Sequence, residues 1–92
     1  MAPADPPAPL MLEVTFPSGD MVVDSETIIV VGITSPDATV SINGNLAIPD
    51  VEGRFALDMA IMPWENPLAI EVIATSLTGE SLSLVRTVIF IP

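Results

Sequence analysis

Apolar residues in this chain recur at every second position in short runs, and nowhere do they hold the i, i+3, i+4, i+7 spacing of a helix. A period of two sends alternate side chains to opposite faces, so each run is a strand with one face to bury. Clusters of turn residues separate the runs: Pro17-Ser18-Gly19-Asp20, Ser35-Pro36-Asp37-Ala38, Asn43-Gly44, Asp50-Val51-Glu52-Gly53, Pro63 to Pro67, and Leu77-Thr78-Gly79-Glu80. The spacing predicts an all-β chain.

The first predicted strand runs from Leu10 to Phe16, with Leu10, Leu12, Val14 and Phe16 on one face. Met21 to Val23 reads as a short extended piece. Glu26 to Thr34 puts Ile28, Val30 and Gly32 on one face and Thr27, Ile29, Val31 and Ile33 on the other, so both faces are apolar. Thr39 to Asn43 turns Val40 and Ile42 inward. Asn43-Gly44 then signals a two-residue hairpin, because both residues tolerate the positive φ of a type I′ turn. Leu46 to Ile48 continues to Pro49. Arg54 to Ile61 aligns Phe55, Leu57, Met59 and Ile61, and Leu68 to Thr75 aligns Leu68, Ile70, Val72 and Ala74. In the last run, Leu82 to Ile91, Arg86 shares a face with Leu84, Val88 and Phe90. Either Arg86 lies at a rim or a bulge shifts the register near Val85.

Turn signals every 8 to 12 residues and short reversals fit two packed sheets better than a barrel. The expected fold is an immunoglobulin-like antiparallel β-sandwich of about seven strands, spanning residues 10–92 as a single domain. A small oligonucleotide-binding barrel is the runner-up, but it would want a helix and a basic, aromatic face. Residues 1–9 carry Pro3, Pro6, Pro7 and Pro9 and read as a stiff extended linker, so the chain is expected to be part of a longer one. This start lacks the charged and apolar regions of a signal peptide.

Twelve acidic residues against two basic ones, Arg54 and Arg86, give a net charge of −10, with no histidine and no cysteine. Phosphate backbones and anionic membrane surfaces recruit Lys and Arg, so neither is an expected partner. No apolar stretch approaches the length of a membrane helix. The apolar share, 50%, argues against disorder, which combines charge with low hydrophobicity.

A spaced series of segments resembles the bacterial immunoglobulin-like modules attached to glucodextranase catalytic domains. The series begins with Leu12-Glu13-Val14-Thr15-Phe16-Pro17, followed by Gly19 and Val22-Val23, then Ile28 to Gly32. Ile33-Thr34-Ser35-Pro36-Asp37-Ala38-Thr39-Val40-Ser41-Ile42-Asn43-Gly44 comes next, then Gly53-Arg54-Phe55, and Ile70-Glu71-Val72-Ile73-Ala74-Thr75 with Gly79. The segments Trp64-Glu65-Asn66-Pro67-Leu68 and Gly79-Glu80 depart from the family's usual loops. The resemblance implies a non-catalytic spacer or accessory module of an exported or cell-surface bacterial protein. Its expected partners are adjacent domains of the parent chain, with a carbohydrate or another protein as the alternative, and it is expected to be monomeric.

Candidate chemistry is sparse. Without His, Cys or Lys no base can activate a nucleophile, so no catalytic residues are expected. Asp50 with Glu52, or Asp20 with Asp24, pair carboxylates in sequence, but a sandwich this small fills its interior and leaves no sugar cleft. Asp20, Asp24, Glu26, Asp37, Asp50 and Glu52 are the oxygen donors available to calcium, yet no ligand spacing appears, so neither metal nor cofactor is expected. Trp64 is expected to plug one end of the sandwich, with sugar stacking as the functional alternative. Phe16, Phe55 and Phe90 read as core. Ile29, Val31 and Ile33, extended by Ile73 or Val85, form an outward apolar stripe that is either covered by the chain itself or open to a neighbouring domain.

Overall fold

The structure, a computed structural model, describes residues 10–91, so the linker expected at 1–9 and Pro92 lie outside it. Eight strands follow in order: β1 (Leu12–Phe16), β2 (Met21–Val23), β3 (Thr27–Thr34), β4 (Thr39–Ile42), β5 (Asn45–Ala47), β6 (Arg54–Ala60), β7 (Leu68–Thr75) and β8 (Ser81–Phe90). One 3-10 turn, Pro63–Glu65, interrupts them. They form two sheets with strand orders β1-β3-β6 and β2-β8-β7-β4-β5. The all-β sandwich expected from the period-two runs is the fold observed.

The sheets meet through the faces that alternation assigns. Val14, Ile28, Val30 and Phe55 from the smaller sheet pack in one buried cluster with Val40, Ile42, Ile70, Val72 and Val88 from the larger. Six of these, Val30, Val40, Ile42, Ile70, Val72 and Val88, are fully removed from water, each burial contributing about 1.5–3 kcal/mol. Phe16 and Phe90 are half-buried against the cluster, as expected of core aromatics. At Asn43 and Gly44 φ is 49° and 83°, the doubly positive pair that the hairpin between β4 and β5 demands.

Three features correct the sequence expectation or decide between its alternatives. Met21–Val23 is an eighth strand, and it runs parallel to β8 with Met21 opposite Val88 and Val23 opposite Phe90, so the larger sheet is mixed. The chain reaches it by leaving the smaller sheet at Pro17, directly after an irregularity in register between Val14 and Phe16. Second, no bulge breaks β8: its register against β7 runs unshifted from Leu68–Val88 to Thr75–Ser81, with Arg86 opposite Ile70. Arg86 therefore faces the core side half-buried, and its Nε is buried with no hydrogen-bond partner. Third, β3 neighbours only β1 and β6, so Ile73 of β7 and Val85 of β8 belong to the opposite sheet and cannot extend the Ile29–Val31–Ile33 stripe.

Candidate functional site

Asp50 organises the loop that carries the chain from β5 to β6. Its Oδ1 accepts from the backbone N–H of Glu52 and of Arg54, both at 2.9 Å, and its own N–H donates to the Arg54 carbonyl at 2.8 Å. Arg54 turns back over this turn, with Nε 3.4 Å from Asp50 Oδ2 and Nη2 3.2 Å from Glu52 Oε1. The N–H of Arg54 is the main cause holding the Asp50 carboxyl below its ordinary 3.8; desolvation opposes it, and the Glu52 N–H and the Arg54 guanidinium add to the lowering. A carboxylate held ionised by backbone donors and an arginine is a turn brace. The Asp50 carboxyl is shifted downward, opposite to the raised pKa that a general acid needs.

The other sequence pair is separated by architecture. Asp20 precedes β2 and Asp24 follows it, which places about 13 Å of extended chain between them. Asp20, Asp24 and Glu26 lie along β2 and the entry to β3, whereas Asp37, Asp50 and Glu52 lie in loops at the far ends of β3 and β5. Among the described residues no three carboxylates, histidines or cysteines are grouped to hold a metal ion.

Trp64 corrects the expectation placed on it. It does not plug the sandwich: 79% of it is exposed. Two other features do the work assigned to it. Ile61 and Leu68, at the two ends of the β6–β7 connection, are buried and close that end of the core. Asn66 pins the loop, its Nδ2 donating to the Phe90 carbonyl at 2.8 Å and its Oδ1 accepting from the Phe90 N–H at 2.9 Å, so the side-chain amide stands in for a strand neighbour of β8. Asn43 does the same for β7, bonding the Ala69 carbonyl and the Glu71 N–H. With the loop held by Asn66, the indole is left on the outside of the Pro63–Glu65 turn. The sequence signal for both asparagines is an Asn placed at a chain reversal, beside Gly44 or Pro67.

The outward stripe on β3 is present but uneven. Ile29 is exposed, while Val31 and Ile33 are half-buried among their neighbours on the same sheet. Opposite them on β6 stand Asp58, Ala56 and Arg54, and Glu13 on β1 faces Ile33. A shallow groove of about 630 Å³ lies beside Ile29, between β2 and the start of β3, floored by Phe16, Met21, Val23, Ile28 and Ile91. A second groove of about 410 Å³ separates β6 from the β4–β5 hairpin. No described helix is long and apolar enough to cross a membrane. No protein-family model matches the chain, and no curated protein sequence matches it.

Proposed function

We propose that this chain is a non-catalytic, immunoglobulin-like spacer or accessory module of a larger exported or cell-surface bacterial protein, of the glucodextranase-associated kind, positioning neighbouring domains. The observation that carries the reading is where the described chain enters and leaves. Leu12 pairs with Thr34, the last residue of β3, whereas the Ile91 N–H bonds the Val23 carbonyl beside the first residues of β3. Eight residues of β3, about 26 Å of extended strand, therefore separate entry from exit. A module with ends so placed holds its neighbours apart along its own length. The most exposed large apolar side chains are also at these ends: Ile48, Val51 and Leu77 in loops near the entry, and Trp64 near the exit.

In this reading the partners are the adjacent domains, the module is monomeric, and its charge of −10 keeps it off nucleic acid and anionic membranes. Small-angle scattering from two copies joined through their own residues 1–9 tests it. The long dimension should grow by about one sandwich length, and copies folded side by side would refute it. The exposed Trp64 favours a second reading, a carbohydrate- or protein-binding module that uses the indole as a stacking platform. A titration of Trp64 fluorescence with a glucan panel separates the two readings, since a spacer leaves the emission unchanged.

A further inference from the structure

We propose that the free edge of β6 is a docking site for an extended, apolar and basic peptide segment of another protein, which adds a fourth strand to the β1-β3-β6 sheet. Hydrogen-bond accounting leads there. Gly53 O accepts from Thr34 N at 2.8 Å and Ile61 N donates to Glu26 O at 2.7 Å, and both pairs lie in register with the β3–β6 ladder. In an antiparallel pair, residues that exchange bonds with the partner alternate with residues whose N–H and C=O point away from it. Phe55, Leu57 and Met59 therefore bond β3, and Arg54, Ala56, Asp58 and Ala60 face outward along the edge. Asp50 takes both backbone groups of Arg54. No hydrogen bond among the described residues takes those of Ala56, Asp58 and Ala60, and all three residues are exposed.

The other three edges are short or broken. β2 and β5 have three residues each, and β1 carries a register shift and stops at Pro17. These are the usual defences of a sheet edge. β6 is seven residues in unbroken register with no proline or glycine. The side chains beneath its edge are also unfinished. Leu57 and Met59 point inward yet stay half-exposed, while Ile28 and Val30, their partners on β3, are buried. Three strands oppose five, so the smaller sheet ends early, and Leu57, Met59, Met62 and Leu68 line the groove left beside the β4–β5 hairpin. One more strand would satisfy the ladder and cover these residues together.

Charge selects the occupant. Asp58 stands on the outer face of the edge and Glu65 at the groove, on a chain with ten more acidic than basic groups. A segment alternating apolar residues with Lys or Arg sets the first over Leu57 and Met59 and the second beside Asp58. Residues 1–9 do not suit the ladder, because four prolines lack the N–H it needs. A second copy brings the same net charge of −10 and the same Asp58.

The test is a nitrogen-15 NMR titration of the full chain with the peptide acetyl-Val-Lys-Val-Lys-Val-Lys-Val-amide, against the same peptide with Glu for Lys and one with a central proline. Shifts and slowed hydrogen exchange should concentrate at Ala56, Asp58 and Ala60. The Glu peptide should bind about tenfold more weakly, the sum of a few surface charge pairs, and the proline peptide should lose the protection. Asp58→Lys, on an exposed outer position, should reverse the preference between Lys and Glu peptides while amide dispersion reports an intact fold. Shifts elsewhere or nowhere, equal binding of both charge forms, or no reversal in D58K would overturn the proposal. So would self-association that protects these amides without peptide, which would make a second copy the occupant.

Discussion

Gly53 is the residue at which one added carbon tests the join between the β5–β6 turn and the smaller sheet. Its φ is 83°, and a Cβ built there collides with the Thr34 carbonyl oxygen, a backbone atom of the central strand that cannot rotate away. Gly53→Ala therefore incurs two costs. Left-handed backbone disfavours any Cβ by about 1–2 kcal/mol. Relieving the collision pulls Gly53 from β3 and weakens its bond to the Thr34 N–H, a further 0.5–1.5 kcal/mol or about that. The sum, about 1.5–3.5 kcal/mol, is a large part of the 5–15 kcal/mol or so that holds a small domain folded. At 92 residues it corresponds to a fall in Tm of roughly 6 to 28 °C. Gly79→Ala is the internal control: φ there is 92°, but nothing lies within 4 Å of the added carbon, so only the backbone cost of about 1–2 kcal/mol applies. Urea unfolding of both variants, read at constant m-value, isolates the close approach. If Gly53→Ala loses no more than Gly79→Ala, the contact between the turn and β3 is not tight and the reasoning fails.

Asn66→Ala removes both bonds to Phe90 and should cost about 1–3 kcal/mol in thermal unfolding, with the loss falling on the β6–β7 loop and the end of β8. Trp64→Ala should change stability by no more than about 0.5 kcal/mol, and native Trp64 emission should already be that of indole in water, little altered by urea. The Asp50 carboxyl titrates lower in the folded chain than in the unfolded one. Its contribution is therefore present above the unfolded pKa and fades as pH falls through the folded value, so the acid side of the pH–stability curve should flatten in Asp50→Asn. Arg86→Met keeps the apolar stem on the core side beside Ile70 and removes an orphaned buried Nε, so the urea midpoint should rise, by about 1 kcal/mol in free energy.

Alternation made the core legible, residue by residue. Leu68, Ile70, Val72 and Ala74 were assignable to one buried face because a period of two admits no other packing of those four, and the same holds for Val40 with Ile42 and Ile28 with Val30. Asn43-Gly44 was legible because its backbone requirement is local. Trp64 was not. Whether an indole plugs a core or sits outside it depends on what else anchors its loop, and here the Asn66 amide does so through a partner 24 residues away in sequence. Nor does a three-residue run such as Met21–Val23 state whether it pairs, or in which direction; that follows only once β8 is in place beside it.

The same limit governs the candidate site. Alternation within Arg54–Ala60 reports that Phe55, Leu57 and Met59 share the inner face, and they do. It cannot report that no strand lies beyond them. That is decided by the six residues Ile48 to Gly53, which carry the chain from the edge of one sheet to the edge of the other without forming a strand between β5 and β6. A connection long enough to pair with β6 would have covered Leu57 and Met59 and bonded Ala56, Asp58 and Ala60. Because this connection instead closes on itself through Asp50, Arg54 and Gly53, it spends its hydrogen bonds on its own turn. The ladder groups past Arg54 are left to solvent or to another chain. The brace at Asp50 and the open edge at Ala56 to Ala60 are thus two consequences of one short loop, and lengthening that loop with a strand-forming insert is the change that should remove the second.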